Sequence, residues 1–202
     1  MIVRMSKKVS SFFIDKKIIS CEDREVYEYS FEILFSSFLS IAAVMIMALL
    51  SKTIIFTTLY MIGFIPLRLI AGGYHAKNHF RCFIILMCTY SAFLLLITFL
   101  PHDYLIFGII LTAATSVALT YLFAPSEDKN KPVSNNEKIG FKKKSRISIT
   151  IYIALACLLA IIVSDMKFAF SLTLGNLTVA VSLLANYIKC KKIVNNAIAE
   201  RG

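Results

Sequence analysis

Long apolar runs alternate with short polar segments along this chain, and the pattern recurs six times, at about 31–50, 53–70, 83–100, 104–123, 147–163 and 168–188. Each run has roughly the 17–25 residues that a helix needs to cross a hydrocarbon core. Lipid offers the backbone no hydrogen-bond partners, and the short alternating segments of a β-barrel are missing, so the runs are predicted to be transmembrane α-helices. Four spans, with one or two weaker runs re-entrant, form an alternative because the stretch around 72–82 is irregular. Ahead of the first run, Ile2, Met5, Val9, Phe12 and Phe13 recur at spacings of three and four with lysines largely elsewhere. That spacing predicts an interfacial amphipathic helix within residues 1–20. Lys7, Lys8, Asp15, Lys16 and Lys17 break up any hydrophobic core and argue against a cleaved signal peptide. Ser20 with Asp23 is expected to cap a helix running through Glu22, Glu25, Glu28 and Glu32 into the first span.

Composition and charge sharpen this picture. The chain is 58% hydrophobic over 202 residues, against about 45–50% for soluble domains, so it reads as a single all-α integral membrane domain spanning 1–202. Of 22 Lys and Arg residues, 20 lie in the N-terminal segment and every second segment after it; Lys52 and Lys167 are the two exceptions. Cationic loops stay in the cytoplasm, which predicts both termini inside and places residues 68–82 at the cytoplasmic face. The net charge of +10 is divided among separate loops with no aromatic stacking module, so nucleic-acid binding is not expected. The basic loop from Lys129 to Arg146 suits the anionic leaflet by default, and Lys142, Lys143 and Lys144 are candidates for capturing an acidic substrate tail. Tyr60, Tyr90, Tyr104 and Tyr121 fall near span ends, as an aromatic belt would. No phosphate-binding glycine loop, dinucleotide fingerprint or zinc-protease helix appears.

Five cysteines, at 21, 82, 88, 157 and 190, form no disulfide framework, and four of them read as small buried hydrophobes or incidental thiols. Cys82 differs by its neighbours. It follows His75 by seven residues in the stretch from Arg68 to Cys82, between two spans. A thiol beside an imidazole is the minimal apparatus of cysteine nucleophilic catalysis. Within one straight helix, positions seven apart are separated by roughly 10 Å along the axis, so a dyad requires a break. Gly72-Gly73 supplies a candidate break, and Asn78 a candidate cap for a helix starting near His79. Cys82 would then lie near a helix N-terminus, close to Arg81 and Lys77, a setting suited to a nucleophilic sulfur. A continuous helix would instead put His75, His79 and Cys82 at ligand-like spacing for a metal, though the preceding glycines and the lack of a fourth ligand count against it. A plain glycine-rich turn is equally compatible with the spacing. Arg68 reads most simply as an arginine reaching to the interface, and Asn78, Ser91 and Asn176 are unranked candidates for orienting His75.

The block Arg68, Gly72-Gly73-Tyr74-His75-Ala76 and Cys82 resembles the signature of the accessory gene regulator B (AgrB) family of membrane cysteine endopeptidases. A second stretch, from Ala124-Pro125 through Lys129, Asn130, Lys131 and Pro132, resembles the loop between that family's middle spans. The resemblance implies Cys82 as nucleophile and His75 as general base, with Arg68, Gly72, Gly73, Lys129 and Lys131 binding substrate or shaping the site. It further implies processing of an AgrD-type pheromone precursor at its C-terminal segment, through an acyl-thioester that closes to a thiolactone or lactone for quorum sensing. The implied setting is a multi-pass protein of a Gram-positive cell membrane, with precursor and lipids as partners and no cofactor. A homo-oligomer is compatible with this reading. The alternative is a non-enzymatic carrier or exporter of a small peptide.

Overall fold

The structure, a computed structural model, describes residues 2–73, 79–126 and 135–199. Seven helices follow one another: α1 (Ile2–Asp15), α2 (Arg24–Leu50), α3 (Ile54–Ala71), α4 (His79–Phe99), α5 (Leu105–Phe123), α6 (Asn135–Ile162) and α7 (Lys167–Ala199), with a 3-10 turn at His102–Tyr104 before α5. No strand occurs among the described residues. Six helices are long and apolar enough to cross a membrane, and they coincide with the six predicted runs. Each is continuous over its range.

The helices outrun the apolar segments at their polar ends. Helix α6 starts at Asn135, so residues 135–146, expected as loop, are helical, and α7 continues to Ala199. The cause is cooperative propagation: once a span is helical, each added residue contributes a backbone hydrogen bond without a new nucleation cost. The expected cap also differs. Ser20 Oγ donates to Asp23 Oδ2 at 2.7 Å and accepts from the Asp23 N–H at 3.3 Å, making a turn ahead of α2. Asp23 itself occupies the N-cap position.

Two compact units divide the chain, the first comprising 1–52 and 76–90, the second 53–75 and 91–202. In the first, α1 packs along α2. Phe13 stacks on Phe31 at 5.7 Å between ring centres, and Phe31 continues to Tyr27 and Phe35. Among the residues of α1 whose burial is described, the small Ser6 and Ser10 are buried, while Val3, Met5 and Phe12 stay exposed. Met5 and Phe12, seven apart, share a face turned away from Ser6 and Ser10, an outward apolar pair of the kind that a helix resting on lipid retains.

In the second unit α7 is central: 61% of its span window is buried, against 33% for α3 and 22% for α5. It packs on α3, α5 and α6. Hydrocarbon gives apolar side chains no reason to cluster, so close backbone approach and interhelical hydrogen bonds carry the association. A Cβ on Gly175 would lie 2.2 Å from the Tyr60 carbonyl oxygen, and one on Gly63 would lie 2.6 Å from that of Leu172. Tyr60 donates its hydroxyl to Thr178 at 3.0 Å, and Thr112 donates to Thr173 at 2.8 Å. Tyr60 and Tyr90 are fully buried, so neither belongs to an interfacial belt; Tyr104 and Tyr121 are exposed. Around the end of α3, Leu67, Ala71, Ala124, Ile149, Val179 and Leu183 form a buried cluster.

Candidate functional site

The glycine pair ends α3. Gly72 has φ +77° and ψ −144°, and Gly73 has φ +139°, conformations that L side chains rarely adopt. The Gly72 N–H still donates to the Arg68 carbonyl at 3.0 Å, closing the last helical turn. Pro66 lies inside α3, which nevertheless continues to Ala71.

Three other parts of the second unit hold this break. The Arg68 side chain folds back, donating from Nη1 to the Gly72 carbonyl at 3.1 Å and to Ser182 Oγ of α7 at 2.7 Å. Arg68 is half-buried and tied inward, so the interface-seeking reading of this residue is replaced by one in which it caps the end of α3. The Ser126 N–H donates to the Ala71 carbonyl at 2.9 Å, and Asn186 Nδ2 donates to Ser126 Oγ. Space is equally tight. A Cβ on Gly72 would meet the Ser126 carbonyl oxygen at 2.7 Å, and one on Gly73 would fall 1.7 Å from Arg68 Nη1 and 2.3 Å from Ser182 Oγ.

Helix α4 begins at His79, which places Cys82 in its first turn with the residue exposed. The helical run of α3 thus ends at Ala71, and Gly72 and Gly73 are non-helical. His75, Tyr74, Lys77, Asn78, Lys129 and Lys131 lie outside the described residues. The four remaining cysteines are also exposed, so of the two readings, small buried hydrophobes or incidental thiols, the first does not hold and the second stands. Against lipid, an outward thiol on a span loses little, because the surroundings are as apolar as the core. Among the described residues no group of His, Cys, Asp and Glu is arranged to hold a metal ion.

Asn176 is fully buried beside Gly63, with the Gly63 Cβ position 3.3 Å from its Oδ1. Gly63 precedes Gly72 by nine residues, about 13 Å along the helix at about 1.5 Å per residue, so Asn176 belongs to the α3–α7 packing, away from the break. Ser126, Ser182 and Asn186 were not singled out by the sequence reading. Ser182 and Asn186 are four apart on α7, and that polar pair at helical spacing is the signal by which they stand out.

Six long apolar helices define a multi-pass membrane protein, in which a glycine break fixed by an inward arginine ends α3. The sequence profile of the accessory gene regulator B family matches residues 6–184, and the chain belongs to that family, whose members act in quorum sensing. It is similar to a protein named as AgrB-like from Clostridium beijerinckii, 28% identical over 166 residues, covering 77% of each chain. No solved structure matches it.

Proposed function

We propose that the protein is a membrane cysteine endopeptidase that removes the C-terminal segment of an AgrD-type peptide precursor and releases a cyclic quorum-sensing peptide. The observation that carries this reading is Cys82, exposed in the first turn of α4 and shortly beyond a glycine break held by Arg68, Ser182 and Ser126. The Cys82 sulfur attacks the scissile carbonyl, and His75 takes the thiol proton and passes it to the leaving amine as the C–N bond breaks. An acyl-thioester remains on Cys82. A cysteine or serine within the precursor then attacks that thioester, closing a thiolactone or lactone and returning Cys82 to its thiol. Thioester exchange is close to isoenergetic, so the thiolactone closes without ATP where water is kept from the intermediate.

The lopsided distribution of Lys and Arg supports a cytoplasmic location for both termini and for this site in a bacterial cell membrane. Gly72 and Gly73 shape the backbone, Arg68 fixes it, and Lys129 and Lys131 attract the acidic part of the precursor. The test is co-expression with the cognate precursor, read by mass spectrometry. Cys82→Ser and His75→Ala each abolish cleavage, whereas Cys88→Ala and Cys157→Ala leave it intact. Cleavage by Cys82→Ser would rule out the peptidase and favour a peptide carrier.

A further inference from the structure

Where α5 ends against the start of α6, the second unit has an open groove of about 450 Å³ whose lining includes Lys142, Lys143, Arg146, Ile139, Ile147 and Ile151. Among the described residues no Asp or Glu lines it. Arg146 is fixed there: its guanidinium lies over the Tyr121 ring at 4.8 Å, and Nη2 donates to the Tyr121 carbonyl at 3.2 Å. Its Nε is buried without a hydrogen-bond partner. A guanidinium preoriented in this way offers an anion in the groove a fixed positive charge.

Order along α6 decides the ligand. The cations stand at 142, 143 and 146; the exposed Ile147 and Ile151 follow on the side of the span interior. From Lys142 to Ile151 is about 13 Å at about 1.5 Å per residue, the reach of a headgroup and the first part of an acyl chain. A ligand matching both ends joins an anion to an apolar chain running into the membrane. An extended acidic peptide would satisfy the cations, yet its unpaired backbone polar groups could not follow the isoleucines into hydrocarbon.

We propose that this groove binds one anionic phospholipid, with its phosphate on Arg146, Lys142 and Lys143 and an acyl chain along Ile147 and Ile151. The experiment is native mass spectrometry of the purified full-length protein, offered phosphatidylglycerol or phosphatidylcholine of identical chains. Competition by glycerol 3-phosphate and by an octa-glutamate peptide is measured alongside. Expected is retention of phosphatidylglycerol about tenfold or more above phosphatidylcholine, a difference of about 1.4 kcal/mol, undisturbed by either competitor. Lys142→Gln/Lys143→Gln/Arg146→Gln removes the preference and Ile147→Ser/Ile151→Ser weakens retention several-fold. Lys189→Gln/Lys191→Gln/Lys192→Gln, which removes the same charge from α7, leaves it unchanged. Equal retention of both lipids overturns the proposal, as does an equal effect of the two charge-removing triples. Displacement by glycerol 3-phosphate would mean a simple phosphate site, and displacement by octa-glutamate a peptide site; either result also overturns it. Should the groove triple misfold, the lipid comparison and both competitions on the unmodified chain still decide.

Discussion

Replacing Gly72 with alanine tests whether the end of α3 is a built feature. At φ +77° and ψ −144° the backbone occupies a region essentially confined to glycine, and holding alanine there costs about 1–3 kcal/mol. The added Cβ would also stand 2.7 Å from the Ser126 carbonyl oxygen, a main-chain atom that cannot rotate away. Relief requires the 124–126 segment to retreat, losing the 2.9 Å bond from the Ser126 N–H to the Ala71 carbonyl, about 1 kcal/mol. Together these give about 2–4 kcal/mol, and at about 2–4 °C per kcal/mol for a chain of this size the melting temperature falls by about 4–16 °C. The assay is thermal unfolding of the full-length protein in detergent, compared with Gly140→Ala. Gly140 lies inside α6 with nothing near its Cβ position, so that substitution stabilises the helix by about 1 kcal/mol and raises the midpoint. A Gly72→Ala protein as stable as the unmodified chain, or a pair of variants moving in the same direction, would refute the reasoning.

Further outcomes follow from the same packing. Gly175→Ala puts a methyl 2.2 Å from the Tyr60 carbonyl oxygen, so α3 and α7 must separate and stability drops by about 1–3 kcal/mol, measured by the same melt. Ser182→Ala and Arg68→Ala each reduce precursor cleavage, and their double-mutant cycle shows a coupling of about 0.5–3 kcal/mol; strict additivity would deny that Ser182 acts through Arg68. Asn176→Leu removes a buried amide with neither polar atom partnered, and is expected to leave the melting temperature equal or higher, by up to about 1–3 kcal/mol.

The spans were readable in the sequence because a membrane helix must be apolar for its whole crossing, and each of the six runs became one helix. Their polar ends were less readable: residues 135–146 look like loop by hydropathy, yet helix propagation depends on backbone bonds and continues beyond the lipid. At the candidate site, Gly72-Gly73 announced the break at the end of α3, while the expected cap Asn78 lies outside the described residues. Arg68 was visible as a cation at a span end, but its direction was not, because a guanidinium on a flexible stem goes wherever acceptors are offered. Tyr60 near a span end suggested a belt and is instead buried, since Thr178 on another helix gives its hydroxyl a partner.

What the residues determined unaided is the helical, six-crossing architecture and the presence of Cys82 beyond a glycine hinge. Both follow from local rules, the length of hydrocarbon to be crossed and the backbone freedom of glycine. Tertiary structure alone decided that α7 is the central helix and that Arg68 turns inward. Arg68 and Ser182 stand 114 residues apart, Ser126 and Asn186 60 apart, and no local period links positions so distant. Such pairs form only when the close α3–α7 contact at Gly63 and Gly175 has brought the helices together.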